Sequence, residues 1–141
     1  MYYLTAKADF DSAHFLLGHK GKCSNLHGHR WTIIAKIAGE SLIETGEATG
    51  MIIDFADFKK ILRGLADDLD HKLIVEQDSL KPATLTALTS ENFAIVTVDF
   101  RPTAENFAKY FYEKLKEHHL PIYEVSLYET PDNCAIYKET P

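Results

Sequence analysis

Apolar and polar positions alternate from the start of the chain. Tyr2, Leu4, Ala6, Ala8 and Phe10 fall on one parity, and Tyr3, Thr5, Lys7 and Asp9 fall on the other. Successive side chains of a strand point to opposite faces, so residues 2–14 read as a half-buried strand. Gly18, Gly21, Ser24 and Asn25 then break the pattern, and 16–26 reads as a loop. Alternation resumes over 27–38, where His27, His29, Trp31, Ile33, Ala35 and Ile37 share one face. Gly39, Gly46 and Gly50 mark 39–50 as a turn or hairpin connection.

The period then lengthens. Phe55, Phe58, Ile61, Leu62, Leu65, Ala66 and Leu69 recur at spacings of three and four. That predicts an amphipathic helix, with Asp54 as its N-cap and an end close to Asp70-His71. Within 74–101 the pattern supports a short helix around 84–89 and a strand over 94–99. Pro102-Thr103 opens another helix, with Thr103 as cap and Phe107, Tyr110, Phe111 and Leu115 as apolar face. Pro121 closes it. Residues 122–130 alternate again, with Tyr123, Val125, Leu127 and Glu129 on one face, and Pro131-Asp132-Asn133 turns into a last strand at 134–138. Strands and helices segregate, which predicts an α+β fold on an antiparallel sheet. No linker or repeat divides the chain, so 1–141 reads as one domain.

Composition narrows the function classes. With 45% hydrophobic residues the chain can bury a core, and its net charge of −6 disfavours nucleic acid as the main partner. No apolar run reaches the ~20 residues of a membrane helix, and the N-terminus lacks the pattern of a signal peptide. A cytoplasmic setting is the expectation, with Cys23 and Cys134 as free thiols.

The candidate chemistry gathers at Cys23-Ser-Asn-Leu-His27-Gly28-His29. Residues two apart in a strand point the same way, so His27 and His29 stand side by side, with Gly28 leaving room for close approach on the opposite face. If strands 2–14 and 27–38 pair antiparallel, His14 arrives beside His27. A lone histidine on an apolar face is ordinarily a hydrogen-bonded core residue. A His-x-His pair with a third histidine and a nearby cysteine points instead to a metal centre with an open position, of the kind zinc enzymes use.

A nearby zinc and Lys20 or Lys22 would favour the Cys23 thiolate, which can take a proton from carbon. Cys134 has no such neighbours and reads as structural. Asp70-His71 is either a carboxylate-oriented imidazole or a histidine at a helix C-terminus. Glu129 ends an apolar face and needs a donor partner, which a guanidine-like ligand edge would supply. Glu105 fits a helix N-terminus. His118-His119 reads as a solvated helix end, and His19 receives no role.

Taken in order, Phe10-x-x-x-His14, Cys23-x-x-x-His27-Gly28-His29, Ile53-Asp54-Phe55, Leu69-Asp70-His71, Pro102-Thr103-x-Glu105-Asn106 and Tyr128-Glu129-Thr130 resemble the 6-pyruvoyl- and 6-carboxy-tetrahydropterin synthase superfamily. The bacterial carboxy-tetrahydropterin branch, which serves queuosine biosynthesis, is the nearest likeness. The resemblance implies the tunnelling (T) fold, a four-stranded antiparallel sheet with two helices packed on one face. It implies a lyase that converts 7,8-dihydroneopterin triphosphate to 6-carboxy-5,6,7,8-tetrahydropterin, acetaldehyde and triphosphate. It also implies zinc on His14, His27 and His29, Cys23 as general base, Asp70 and His71 as proton relay, and Glu129 as pterin anchor and relay partner. Thr103 and Glu105 would line the pterin pocket. A homo-oligomer is implied as well, commonly a dimer of trimers with active sites between subunits. Residues 74–101 are an insertion relative to compact members, and Ile74 stands where an Asn is common. Two alternatives stay open: 6-pyruvoyl-tetrahydropterin synthase, which keeps the side-chain carbons, and a non-catalytic pterin- or metal-binding module.

Overall fold

The computed structural model describes residues 1–141. Two long strands, β1 (Tyr2–His14) and β2 (His27–Gly39), pair antiparallel along their whole length. The register sets Phe10 opposite Trp31, Ser12 opposite His29 and His14 opposite His27. One face of this pair carries Ala6, Ala8, Phe10, Trp31, Ile33, Ala35 and Ile37, all buried. A slip by one residue would turn that entire face to solvent, so the apolar alternation holds the histidines in register.

The chain then forms α1 (Phe55–Asp67), β3 (Lys72–Glu76), α2 (Pro82–Ser90), β4 (Ile95–Val98), α3 (Ala104–Glu117), β5 (Ile122–Thr130) and β6 (Asn133–Tyr137). The sheet order is β4-β3-β1-β2-β5-β6. Asp54 caps α1 by accepting from the Ala56 amide at 2.7 Å. Thr103 caps α3 by accepting from the Asn106 amide at 3.3 Å. Helix α1 packs on β1, and α3 packs on β5 and β6. Phe58, Leu62, Phe107, Phe111 and Leu115 reach the sheet with no exposed area. Each such side chain stabilises the fold by about 1.5–3 kcal/mol.

The expected four-stranded antiparallel sheet is present as β1-β2-β5-β6, and the two expected helices are α1 and α3. The complete sheet has six strands and is mixed, and a third helix is present. Residues 72–98 supply the difference. β3 pairs parallel with β1 through Ser12–Lys72 and Ala13–Leu73, and β4 pairs parallel with β3. Its apolar runs, Leu73-Ile74-Val75 and Ile95-Val96, have the continuous character of parallel strands. The segment is thus an added sheet edge, joined by an α2 that buries none of its residues. Helix α1 also stops at Asp67, short of the expected Asp70-His71. The buried Leu69 continues the apolar spacing from a turn. No helix is long and apolar enough to cross a membrane.

Candidate metal centre and active site

His14, His27 and His29 converge, with one ring nitrogen of each within 4.8 Å of the others. Strand pairing sets this meeting: His14 faces His27 across the β1–β2 ladder, and His29 follows two residues on. His14 is 1% exposed. Two backbone carbonyls aim the rings. His14 Nδ1 donates to Pro102 O at 2.8 Å, and His27 Nδ1 donates to Asn25 O at 2.6 Å. A carbonyl only accepts, so each neutral ring keeps its proton on Nδ1 and presents a bare Nε2.

Those two Nε2 atoms are 3.1 Å apart. Facing lone pairs at that distance repel unless a cation lies between them. A proton is a poor choice near neutrality. Burial, opposed by the Pro102 carbonyl and reinforced by the neighbouring histidines, lowers the His14 pKa to about 4. Burial likewise lowers that of His29, against the pull of Glu129. The buried Nε2 of His29 has no hydrogen-bond partner; Glu129 Oε1 is 3.3 Å away but off the bonding direction. Converging ring nitrogens, two of them on rings whose outer nitrogens are held by carbonyls, are what a metal ion requires. The three histidines can hold one.

Glu129 reaches this centre through an irregularity. The β5–β6 register shifts between Tyr128 and Thr130, which leaves Glu129 unpaired in the ladder. Such bulges re-aim a side chain. Its carboxylate is 23% exposed, so it remains open to a ligand beside His29.

Asp70 and His71 form a second unit. Asp70 Oδ1 accepts from the Asp11 amide at 2.8 Å, and Oδ2 meets His71 Nδ1 at 2.8 Å. The Asp11 amide, then the His71 ring, hold the Asp70 carboxyl below its ordinary pKa. The hydrogen bond to Asp70 raises that of His71. The His71 backbone lies in the left-handed region at φ 56°, uncommon for a side-chain-bearing residue. Its amide donates to Asp11 O at 2.7 Å, which anchors the strained turn to β1. This geometry sets the imidazole against the Asp70 carboxylate. His71 is 79% exposed and ready to meet another molecule.

An open cleft of about 440 Å³ is bordered by Asp11, Ala13, Gly28, His29, His71 and Lys72. His29 and His71 therefore share one cleft. A Cβ added to Gly28 would lie 3.5 Å from Ser12 O, an ordinary contact. Gly28 borders the cleft, where the lack of a side chain leaves room.

Cys23 sits in a single 3₁₀ turn, Lys22–Ser24, partly buried. Leu16 donates to its carbonyl and closes the loop. It does not border the cleft of His71. Thr103 spends its hydroxyl on the helix cap, one residue from the carbonyl that aims His14. Glu105 is exposed in the first turn of α3. His118 and His119 are exposed at the end of α3, as expected. Cys134, read as structural, lies exposed on β6. The alternation of residues could not reveal Asn25 and Pro102, which act through backbone carbonyls, or Asp11, whose role depends on β1–β3 pairing.

Comparison with known proteins follows the same lines. The sequence model of the family described as 6-pyruvoyl tetrahydropterin synthase matches residues 3–140. A 6-carboxy-5,6,7,8-tetrahydropterin synthase of Haemophilus influenzae is 36% identical over 142 residues, covering 99% of this chain and 100% of that one. One of Aquifex aeolicus is 33% identical over 128 residues, covering 84% of this chain and 76% of that one. Among solved structures, an uncharacterized protein of Wolinella succinogenes superposes with a TM-score of 0.83 at 22% identity, covering 99% and 98% of the two chains. The 6-pyruvoyl tetrahydropterin synthase of Caenorhabditis elegans gives 0.69 at 27% identity, covering 99% and 96%.

Proposed function

The chain belongs to the 6-pyruvoyl tetrahydropterin synthase family, and on that premise we propose that it is a zinc-dependent 6-carboxy-5,6,7,8-tetrahydropterin synthase of queuosine biosynthesis. It is a lyase, and its substrate in this reading is 7,8-dihydroneopterin triphosphate. The observation that carries the proposal is the set of three imidazoles whose nitrogens converge, in a chain whose full-length relatives carry that name.

His14, His27 and His29 would hold the zinc ion. When bound, the ion supplies Lewis acidity toward the side-chain oxygens of the substrate. The other roles fall to the chain's own groups. Cys23, as thiolate, takes a proton from the side-chain carbon. His71, kept protonated by Asp70 to a higher pH than an isolated imidazole, delivers and recovers protons at its exposed ring. Glu129 accepts from the N–H donors of the pterin edge and shares in the relay. Thr103 and Glu105 line the pterin pocket, Thr103 through the helix start it caps.

Cys23 and His71 do not border one cleft within a single chain. That supports an active site shared between subunits, with His71 of one copy acting beside Cys23 of the next. It favours a homo-oligomer, read as a dimer of trimers. A cytoplasmic setting suits the two free thiols.

The intact Cys23, Asp70 and His71 weigh against a non-catalytic module. Incubation of the zinc-loaded protein with dihydroneopterin triphosphate, with products identified by mass, tests the reaction. Carboxy-tetrahydropterin together with acetaldehyde is the expected result. A pyruvoyl product that keeps the side-chain carbons would contradict it and support the sister activity.

A further inference from the structure

Ligand histidines are usually aimed by a hydrogen bond from their outer nitrogen. His14 and His27 have such bonds, to Pro102 O and Asn25 O. His29 has no counterpart: no backbone carbonyl holds its Nδ1, and its buried Nε2 is without a partner. Something else must fix that ring.

The ring is held by packing. It stands perpendicular to Trp31, with centroids 5.3 Å apart at 82°. His14 stands against the same indole, 4.9 Å away at 82°. Trp31 is the chain's single tryptophan and is fully buried. The indole is itself fixed: Phe10 stacks on it at 5.9 Å and 6°, Phe107 meets it at 5.1 Å and 69°, and its Nε1 donates to Ser12 O at 3.4 Å. In an interior packed to crystal-like density, a fixed indole restricts the rings packed against it.

We propose that Trp31 is a positioning residue of the metal centre, holding the His29 and His14 rings in their converging orientation and so replacing the hydrogen bond that His29 lacks. The proposal rests on the metal reading above. It assigns Trp31 no contact with substrate. An aliphatic residue would keep the position apolar yet leave the His29 ring free to turn. A phenyl ring would preserve part of that packing.

Cobalt(II) affinity, followed by its visible absorption in metal-free protein, tests this. We expect W31L to bind at least ~10-fold more weakly than the parent, the scale seen when outer-shell partners are removed. W31F should stay close to the parent. F107L, which removes one of the rings that fix Trp31, should weaken cobalt binding in the same direction and by less. Equal affinity in W31L and the parent overturns the proposal, whereas a parent that binds no cobalt overturns the metal reading itself. Should W31L not fold, NMR of the metal-free parent decides. A single His29 rotamer with contacts to the indole is expected, and a rotamer-averaged ring overturns the proposal.

Discussion

The Nε2 atoms of His14 and His27 face each other at 3.1 Å, each ring having its outer nitrogen tied to a backbone carbonyl. That single relationship dictates how the metal-free protein behaves. The two rings cannot satisfy one another without moving a proton, and burial resists adding one.

The first consequence is a pH dependence of stability. The His14 pKa is about 4 in the folded chain against 6.5 for the free side chain. The unfolded chain therefore takes up the proton first, and the metal-free fold loses stability as pH falls from about 6.5 to about 4. The His29 shift has the same sign. Melting temperatures of metal-free parent and His14→Gln, compared across this window, should show the steeper fall in the parent. Parallel curves would contradict the account.

Cys23 lies in its own 3₁₀ turn and is not among the residues whose ligand atoms converge. Cys23→Ala should keep its metal content and lose ~10²–10⁴-fold in kcat, the scale of a positioned acid–base group. Metal analysis and turnover on one sample check both halves. A variant with full turnover would remove Cys23 from the mechanism.

Asp70 raises the His71 pKa through the bond at 2.8 Å. In Asp70→Asn that carboxylate is gone, and the His71 pKa should fall toward 6.5, its ordinary value. Titration of the His71 ring protons by NMR reads this directly. Turnover should fall with it, because the relay loses its charged form at neutral pH.

Thr103 caps α3 next to the carbonyl that aims His14. Thr103→Ala should cost about 1 kcal/mol of stability, and Thr103→Ser should recover most of it. Chemical denaturation of the three proteins checks the order. Equal stabilities would mean that the cap contributes nothing.

The centre was legible because strand geometry has a strict period. His27 and His29 had to share a face, and pairing of the two alternating strands brought in His14. Helices α1 and α3 were legible from their caps and spacings. β3 was not, because Leu73-Ile74-Val75 is too short a run to show any period. The end of α1 was misjudged because Leu69 keeps helical spacing while sitting in a turn. The deeper supports lay outside any pattern of side chains. Asn25 and Pro102 act through backbone oxygens, and Asp11 meets Asp70 only because the insertion lies parallel to β1. The importance of Trp31 also shows only in three dimensions, since in sequence it is one more apolar residue of an alternating strand.

The most direct test of the account is the metal content of purified parent and His27→Ala, measured by elemental analysis. About one zinc ion per chain is expected in the parent, as for a single three-histidine centre, and none in the variant. Zinc retained at the parental level in His27→Ala would contradict the assignment of the centre to His14, His27 and His29.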